Sequence, residues 1–237
     1  MSGPPRASGN AARIVRRGLG LSVVGLFGLA AVYVLAFRYT PIEARQGLAQ
    51  KIFYLHVPAA WSALLAFSLV GLASALYLWL KDPRLDRFAA ASAEVGVAFS
   101  AVMLTTGPIW AKPIWGTWWT WDARLTLTLF LFFLFVGYLA LRAALHDPGE
   151  RARFSAVVGI LGMLLVPFIH LSVYLFRTLH PMPIVLKPSA PSMPSEMRVT
   201  FFTGLLAFIL LFAALMRARY RLATLRDLVD DREQEHA

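Results

Sequence analysis

Five of the chain's seven tryptophans fall between Trp110 and Trp121, in the run GPIWAKPIWGTWWTWDARLT that extends from Gly107 to Thr126. Indoles at this density form a broad π-surface that is apolar over most of its area and carries a few N–H donors. Such a surface suits a flat, largely apolar ring better than a sugar or a bare ion. Lys112 and Arg124, at the two ends of the run, are available for carboxylates on such a ring. A membrane-interface belt is the ordinary alternative, but a belt scatters its indoles over many segments. Here the stretch from His180 to Glu196 has no tryptophan, and Trp79 stands alone at the opposite side.

Two histidines sharpen the chemistry. His56 lies in KIFYLHVPAAW and His180 in RTLHPMP, each at the outer end of an apolar run. Imidazole is a standard axial ligand to iron in a porphyrin, and two of them close both axial positions. There is no cysteine, so disulfides, thiolate metal sites, iron–sulfur clusters and covalent CxxCH attachment are excluded. His170 stands ten residues before His180, about 15 Å along a helix. It cannot share an iron with His180 if the helix is continuous, so a structural role is expected for it.

The elements that must hold these residues are membrane spans. The 237 residues are 58% hydrophobic and 15% charged, with a mean hydropathy of +0.62, a balance that needs lipid as part of its solvent. Six apolar runs are long enough to cross hydrocarbon: Leu19 to Phe37, Val57 to Leu80, Phe88 to Ile109, Leu125 to Leu141, Phe154 to Phe176 and Val199 to Met216. Each must be helical, because lipid offers no partner to an open backbone. The first is too long for a cleaved signal peptide and has no small-residue cleavage site. The expected fold is an all-α integral membrane protein of six helices. Residues 1–18 form a basic tail, 19–216 the membrane domain with its Trp-rich loop at 107–126, and 217–237 a second tail.

The net charge of +10 does not point to nucleic acid, since the cations sit in short segments between spans. Arg6, Arg13, Arg16 and Arg17 precede the first span; Lys81, Arg84 and Arg87 follow the second. Arg142, Arg151 and Arg153 follow the fourth; Arg217, Arg219, Arg221, Arg226 and Arg232 follow the sixth. That side holds most of the 23 Lys and Arg, so both termini are expected in the cytoplasm and the Trp loop outside. Lys81-Asp82-Pro83 and His146-Asp147-Pro148-Gly149 read as inner turns. Glu94, seven residues into the third span, is expected to snorkel towards Arg87.

Within the Trp loop, a short helix over Trp115 to Asp122 would place Trp115, Trp118, Trp119 and Asp122 on one face and Trp121 on the other. Pro113 could start such a helix, and Gly116 would leave room for a flat ligand. Asp122, on the ligand face, would repel carboxylates, so holding the loop or docking a partner is expected of it. The outer segment after His180 carries Pro181, Pro183, Pro188, Pro191 and Pro194. It is extended and stiff, a strap over the site or a plain linker.

Trp115-Gly116-Thr117-Trp118-Trp119-Thr120-Trp121-Asp122 resembles the tryptophan-rich "WWD" signature of haem-handling proteins in cytochrome c biogenesis. With KPIWGTWWTWDARLT, YLHVPAAW and the TLH after span five, the chain is similar to the six-span haem exporter protein C (CcmC) family. The larger relatives that share the signature carry spans or domains this chain lacks. One departure is Pro181 directly after His180, which removes a backbone donor there.

The resemblance implies that His56 and His180 are the ligands of a transient, non-covalent haem b, with contacts from the Trp-rich loop. It implies a non-enzymatic carrier in the bacterial inner membrane that holds haem at the periplasmic face and passes it to a membrane-anchored haem chaperone. It also implies a complex with the ATPase and permease of an ATP-binding-cassette transporter and with a small single-span subunit. No GxxxxGK[ST] occurs in this chain, so ATP hydrolysis falls to the partner. Two rival readings are a b-type electron-transfer subunit, which would favour histidines facing each other within spans, and a transporter subunit with no haem of its own.

Overall fold

The computed structural model describes residues 7–185, 187–189 and 193–235, with side chains described from residue 20 to residue 227 of these. Six helices follow in order: α1 (Ala7–Val34), α2 (Phe53–Leu80), α3 (Pro83–Trp115), α4 (Ala123–Ala144), α5 (Pro148–Leu175) and α6 (Ser195–Glu235). All six have a segment long and apolar enough to cross a membrane. A π-helical turn, Leu35–Tyr39, ends α1, and a short 3-10 segment, Leu48–Ile52, leads into α2. The helices overrun the apolar runs: α3 continues six residues past Ile109, and α6 extends beyond Met216 as one rod.

Asp82, Asp122 and Asp147 start α3, α4 and α5. Their carboxylates accept from Arg84 N (2.9 Å), Leu125 N (3.0 Å) and Glu150 N (2.6 Å). Each satisfies a helix-start N–H that has no intrahelical partner. Proline in the first turn of α3 and α5 fits because no backbone donor is needed there.

Helix α2 is central and packs on α3, α5 and α6, while α1 packs chiefly on α6, and α4 lies against α5 and α3. Lipid tails are as apolar as leucine, so close packing rather than the hydrophobic effect must hold such helices together. The buried residues of α2 and α3 accordingly include many small ones: Ala59, Ser62, Ala63, Ala66 and Ser74 on α2, and Ala89, Ser92, Ala93, Gly96 and Ser100 on α3. In the centre, Phe67 and Phe135 stack with centroids 4.0 Å apart. Gly96 and Gly162 make room for them; a Cβ at either would stand 2.6 Å from the Phe67 or the Phe135 ring. Large residues on α1, α4 and α5, such as Phe27, Phe133, Leu164 and Phe168, are left on the outside.

At the end of the bundle away from the Trp loop, three ion pairs tie α3 to its neighbours: Asp86 to Arg142 of α4, and Arg87 and Glu94 to Asp227 and Arg219 of α6. Glu94 therefore does not reach back to Arg87. The continuous α6 carries a cation at its own depth, and a cross-helix pair neutralises the carboxylate there.

Candidate functional site

The predicted helix over Trp115 to Asp122 does not form. Trp115 is the last residue of α3, and Gly116 takes the left-handed conformation (φ 76°), its N–H returning to the Lys112 carbonyl at 3.0 Å. This is a glycine C-cap, and it ends the helix where the sequence reading would have continued it. Pro113 lies inside the last turn of α3 rather than at a helix start. Residues 117–122 then run as a bent, non-helical strap to Asp122, the cap of α4.

The proposed division of the indoles fails with that helix. Trp119 and Trp121 are not on opposite faces; their rings meet edge-on with centroids 5.9 Å apart. Trp118 and Trp121 are exposed, whereas Trp115 and Trp119 are half-buried. The Nε1–H of Trp119 is buried and has no hydrogen-bond partner. The strap is held from within: Thr117 Oγ1 donates to the Trp119 carbonyl at 3.1 Å, and Thr120 Oγ1 to Asp122 Oδ2 at 3.2 Å. Asp122 thus holds the loop through backbone and hydroxyl groups. Lys112, one of the two cations offered for carboxylates, is occupied, its ammonium donating to the Gly116 carbonyl at 2.9 Å.

His56 sits in the first turns of α2, against α3. Its Nδ1 is 2.9 Å from Thr106 Oγ1, and its ring meets Trp110 edge-on at 5.7 Å. Trp110, the fifth indole of the cluster, faces His56 instead of the strap. Its Nε1–H donates to Gln46 Oε1 at 3.0 Å, tying the 40–52 loop to the site. Gly107 permits this arrangement, since a Cβ there would stand 3.3 Å from His56 Cε1. These contacts were beyond the sequence reading, although Thr106 and Gly107 lie at the edge of the Trp run.

His180 lies beyond the end of α5, which stops at Leu175. The continuous helix assumed in separating His170 from His180 is therefore absent. Thr178 Oγ1 accepts from the His180 backbone N–H at 3.1 Å, and the imidazole Nδ1 is 3.0 Å from the Pro181 carbonyl oxygen. Pro181 lacks a donor but supplies the acceptor the ring uses. Burial holds the His180 imidazole well below the ordinary histidine range. The Arg124 guanidinium and, more weakly, His56 push the same way, against the Pro181 carbonyl and the Asp122 carboxylate. Each downward influence favours the neutral ring, the form that ligates iron.

These influences also map the site. His56, Arg124 and Asp122 all lie within electrostatic reach of His180, and Arg124 also reaches His170. Arg124 Nη1 is buried and, like Trp119 Nε1, has no partner. Unpaired buried donors are costly in a native protein and mark places where an acceptor from outside is expected. Among the described residues no three His, Cys, Asp or Glu side chains converge to hold a metal ion. Two imidazoles suit an iron whose four equatorial ligands come from a macrocycle.

Comparison with known proteins decides the family. The model of the family "Heme exporter protein C" matches residues 3–235. The chain belongs to the heme exporter protein C family. Relatives named heme exporter protein C include that of Bradyrhizobium diazoefficiens, 36% identical over 84% of this chain and 75% of the relative. That of Haemophilus influenzae is 37% identical over 85% of this chain and 81% of its own length. That of Escherichia coli is 35% identical over the same two shares. A putative cytochrome c biosynthesis ccmC-like mitochondrial protein of Marchantia polymorpha is 38% identical over 63% of each chain. The shared heme exporter protein C region covers both histidines and the Trp-rich strap.

Proposed function

We propose that this chain binds haem b non-covalently between His56 and His180, at the periplasmic face of a bacterial inner membrane, and passes it to a haem chaperone for cytochrome c maturation. The observation that supports it is a His180 imidazole within electrostatic reach of His56, Arg124 and Asp122, together with two buried donors that have no partner, Arg124 Nη1 and, in the strap that Asp122 ends, Trp119 Nε1. Haem supplies what each lacks: an iron for the imidazoles and propionates for the donors. Charge-assisted bonds of guanidinium to carboxylate are the strong kind, and they orient the ring as well as hold it. Trp115, Gly116, Trp118, Trp119 and Trp121 provide the apolar wall, with Lys112 free to exchange its backbone carbonyl for a second propionate.

The strap and the segment bearing His180 are loops at the edge of the bundle, where cargo can leave sideways without opening the helices. That placement supports transfer over storage. The work of the protein is to bind, orient and release, with no bond made or broken in the porphyrin, so the role is not enzymatic. Membership of the family supports an assembly with the ATPase and permease of a transporter and a small single-span subunit. The exposed apolar faces of α1, α4 and α5 provide the area for contacts within the membrane.

Purified protein loaded with haem should show a Soret band that disappears when His56 and His180 are both replaced; an unchanged band in the double variant refutes the site. Trp119→Phe keeps the ring and removes the donor, and should weaken haem binding roughly tenfold, the size of one lost hydrogen bond to a charged group. Equal affinity in a haem titration would remove Trp119 from the propionate contacts. The orientation has its own test. Ser189 and Gly149 are both exposed, at opposite ends of the bundle, and no native cysteine interferes. A cysteine at Ser189 should react with an impermeant thiol reagent in intact cells and one at Gly149 should not; the reverse pattern would invert the topology.

A further inference from the structure

Thr106 is half-buried against α2, one turn before Trp110, and its hydroxyl makes three contacts. Its Oγ1 lies 2.8 Å from the Val102 carbonyl oxygen, 3.3 Å from that of Met103, and 2.9 Å from His56 Nδ1. A hydroxyl has one proton and two lone pairs. Both carbonyls can only accept, so the proton must point to them; turned towards His56, it would leave oxygen lone pairs facing each other at 2.8 Å. Towards His56 the hydroxyl therefore accepts, and His56 Nδ1 must carry a hydrogen. In a neutral imidazole that leaves Nε2 bare.

We propose that Thr106 is a positioning residue that locks His56 in the Nδ1–H tautomer and so keeps Nε2 ready for iron. The inference rests on the haem reading above only for what Nε2 binds; the proton placement stands on the hydrogen bonds alone. Three residues of α3 share the task. Thr106 sets the tautomer, Gly107 lets the ring lie close, and Trp110 closes on it edge-on. A donated Nδ1–H also raises the basicity of the ligating nitrogen and fixes the ring plane. His180 has the corresponding contact from the Pro181 carbonyl, supplied by its own loop rather than by a neighbouring helix. The two imidazoles are thus presented alike but anchored differently, His56 by the bundle and His180 by a loop.

Thr106→Val keeps the shape and removes the hydroxyl; Thr106→Ser keeps the hydroxyl and serves as rescue. Haem-free protein with 15N-labelled histidine, its His56 signal assigned by loss in His56→Gln, reports the tautomer directly. Wild type and Thr106→Ser should show protonated Nδ1 and bare Nε2, and Thr106→Val a mixture of tautomers. A wild-type His56 protonated at Nε2, or a Thr106→Val spectrum identical to wild type, overturns the assignment. In haem titrations Thr106→Val should bind roughly 10- to 100-fold more weakly, the usual effect of removing the partner of a ligating histidine, with Thr106→Ser near wild type. A tautomer change with no change in haem affinity or spectrum would keep the proton assignment and overturn the ligand role of His56. Thermal unfolding midpoints of the three proteins identify any variant that is merely misfolded.

Discussion

His180→Gly should purify with most of its haem lost, and His56→Gly should lose at least as much. Each removes one of the two proposed axial ligands, so the loss of affinity should exceed the 10- to 100-fold typical of removing a ligand's hydrogen-bond partner. Free imidazole enters the gap left by glycine, and its effect should differ between the two sites. The His180 gap lies on a loop at the edge of the bundle, so added imidazole should restore a six-coordinate spectrum readily. The His56 gap is walled by Thr106, Gly107 and Trp110 of α3, so restoration there should need a higher concentration. His146→Ala, at the opposite end of the bundle, should leave the spectrum unchanged. Haem loss in His146→Ala with retention in both glycine variants would reject the site.

The second large effect is on stability. Asp86 and Arg142 form a two-pronged pair, Nη1 to Oδ1 at 2.6 Å and Nη2 to Oδ2 at 2.8 Å, with side chains only 14% and 13% exposed. The guanidinium also lies 5.8 Å from the centre of the Tyr138 ring. Asp86→Ala leaves a covered cation without its anion, which costs about 3–5 kcal/mol. Removing both charges together, as Asp86→Leu with Arg142→Leu, removes the desolvation cost as well and should recover most of that loss. Equilibrium unfolding in denaturing detergent measures both. A single variant within about 0.5 kcal/mol of wild type, the range of an ordinary surface change, would show the pair to be solvated and weak. The haem spectrum should be unaffected, since the pair stands at the far end of α3 from His56.

The six helices were legible because span length and the absence of lipid hydrogen bonding leave one backbone solution for each apolar run. The histidines at the ends of their runs were legible for the same reason: a span boundary fixes depth. The conformation of the Trp loop was not. Helical spacing of Trp115, Trp118, Trp119 and Asp122 is a necessary mark of a helix but not a sufficient one, and Gly116 carried the opposite signal. Glycine after a long apolar helix with a lysine in its last turn is a C-cap pattern, and it outweighed periodicity over eight residues. The partner of Glu94 was hidden because α3 and α6 are remote in sequence, and no local rule pairs them. Thr106 was passed over because a threonine within a span ordinarily bonds its own helix; here that same bond is what sets the proton on His56.

The central claim is that haem iron sits between two imidazoles, and electron paramagnetic resonance of the frozen ferric, haem-loaded protein tests it most directly. Wild type should give a low-spin signal of the bis-imidazole type, each single glycine variant should turn predominantly high-spin, and added imidazole should restore the low-spin signal. A high-spin wild type, or a low-spin signal that survives loss of both His56 and His180, would contradict the account.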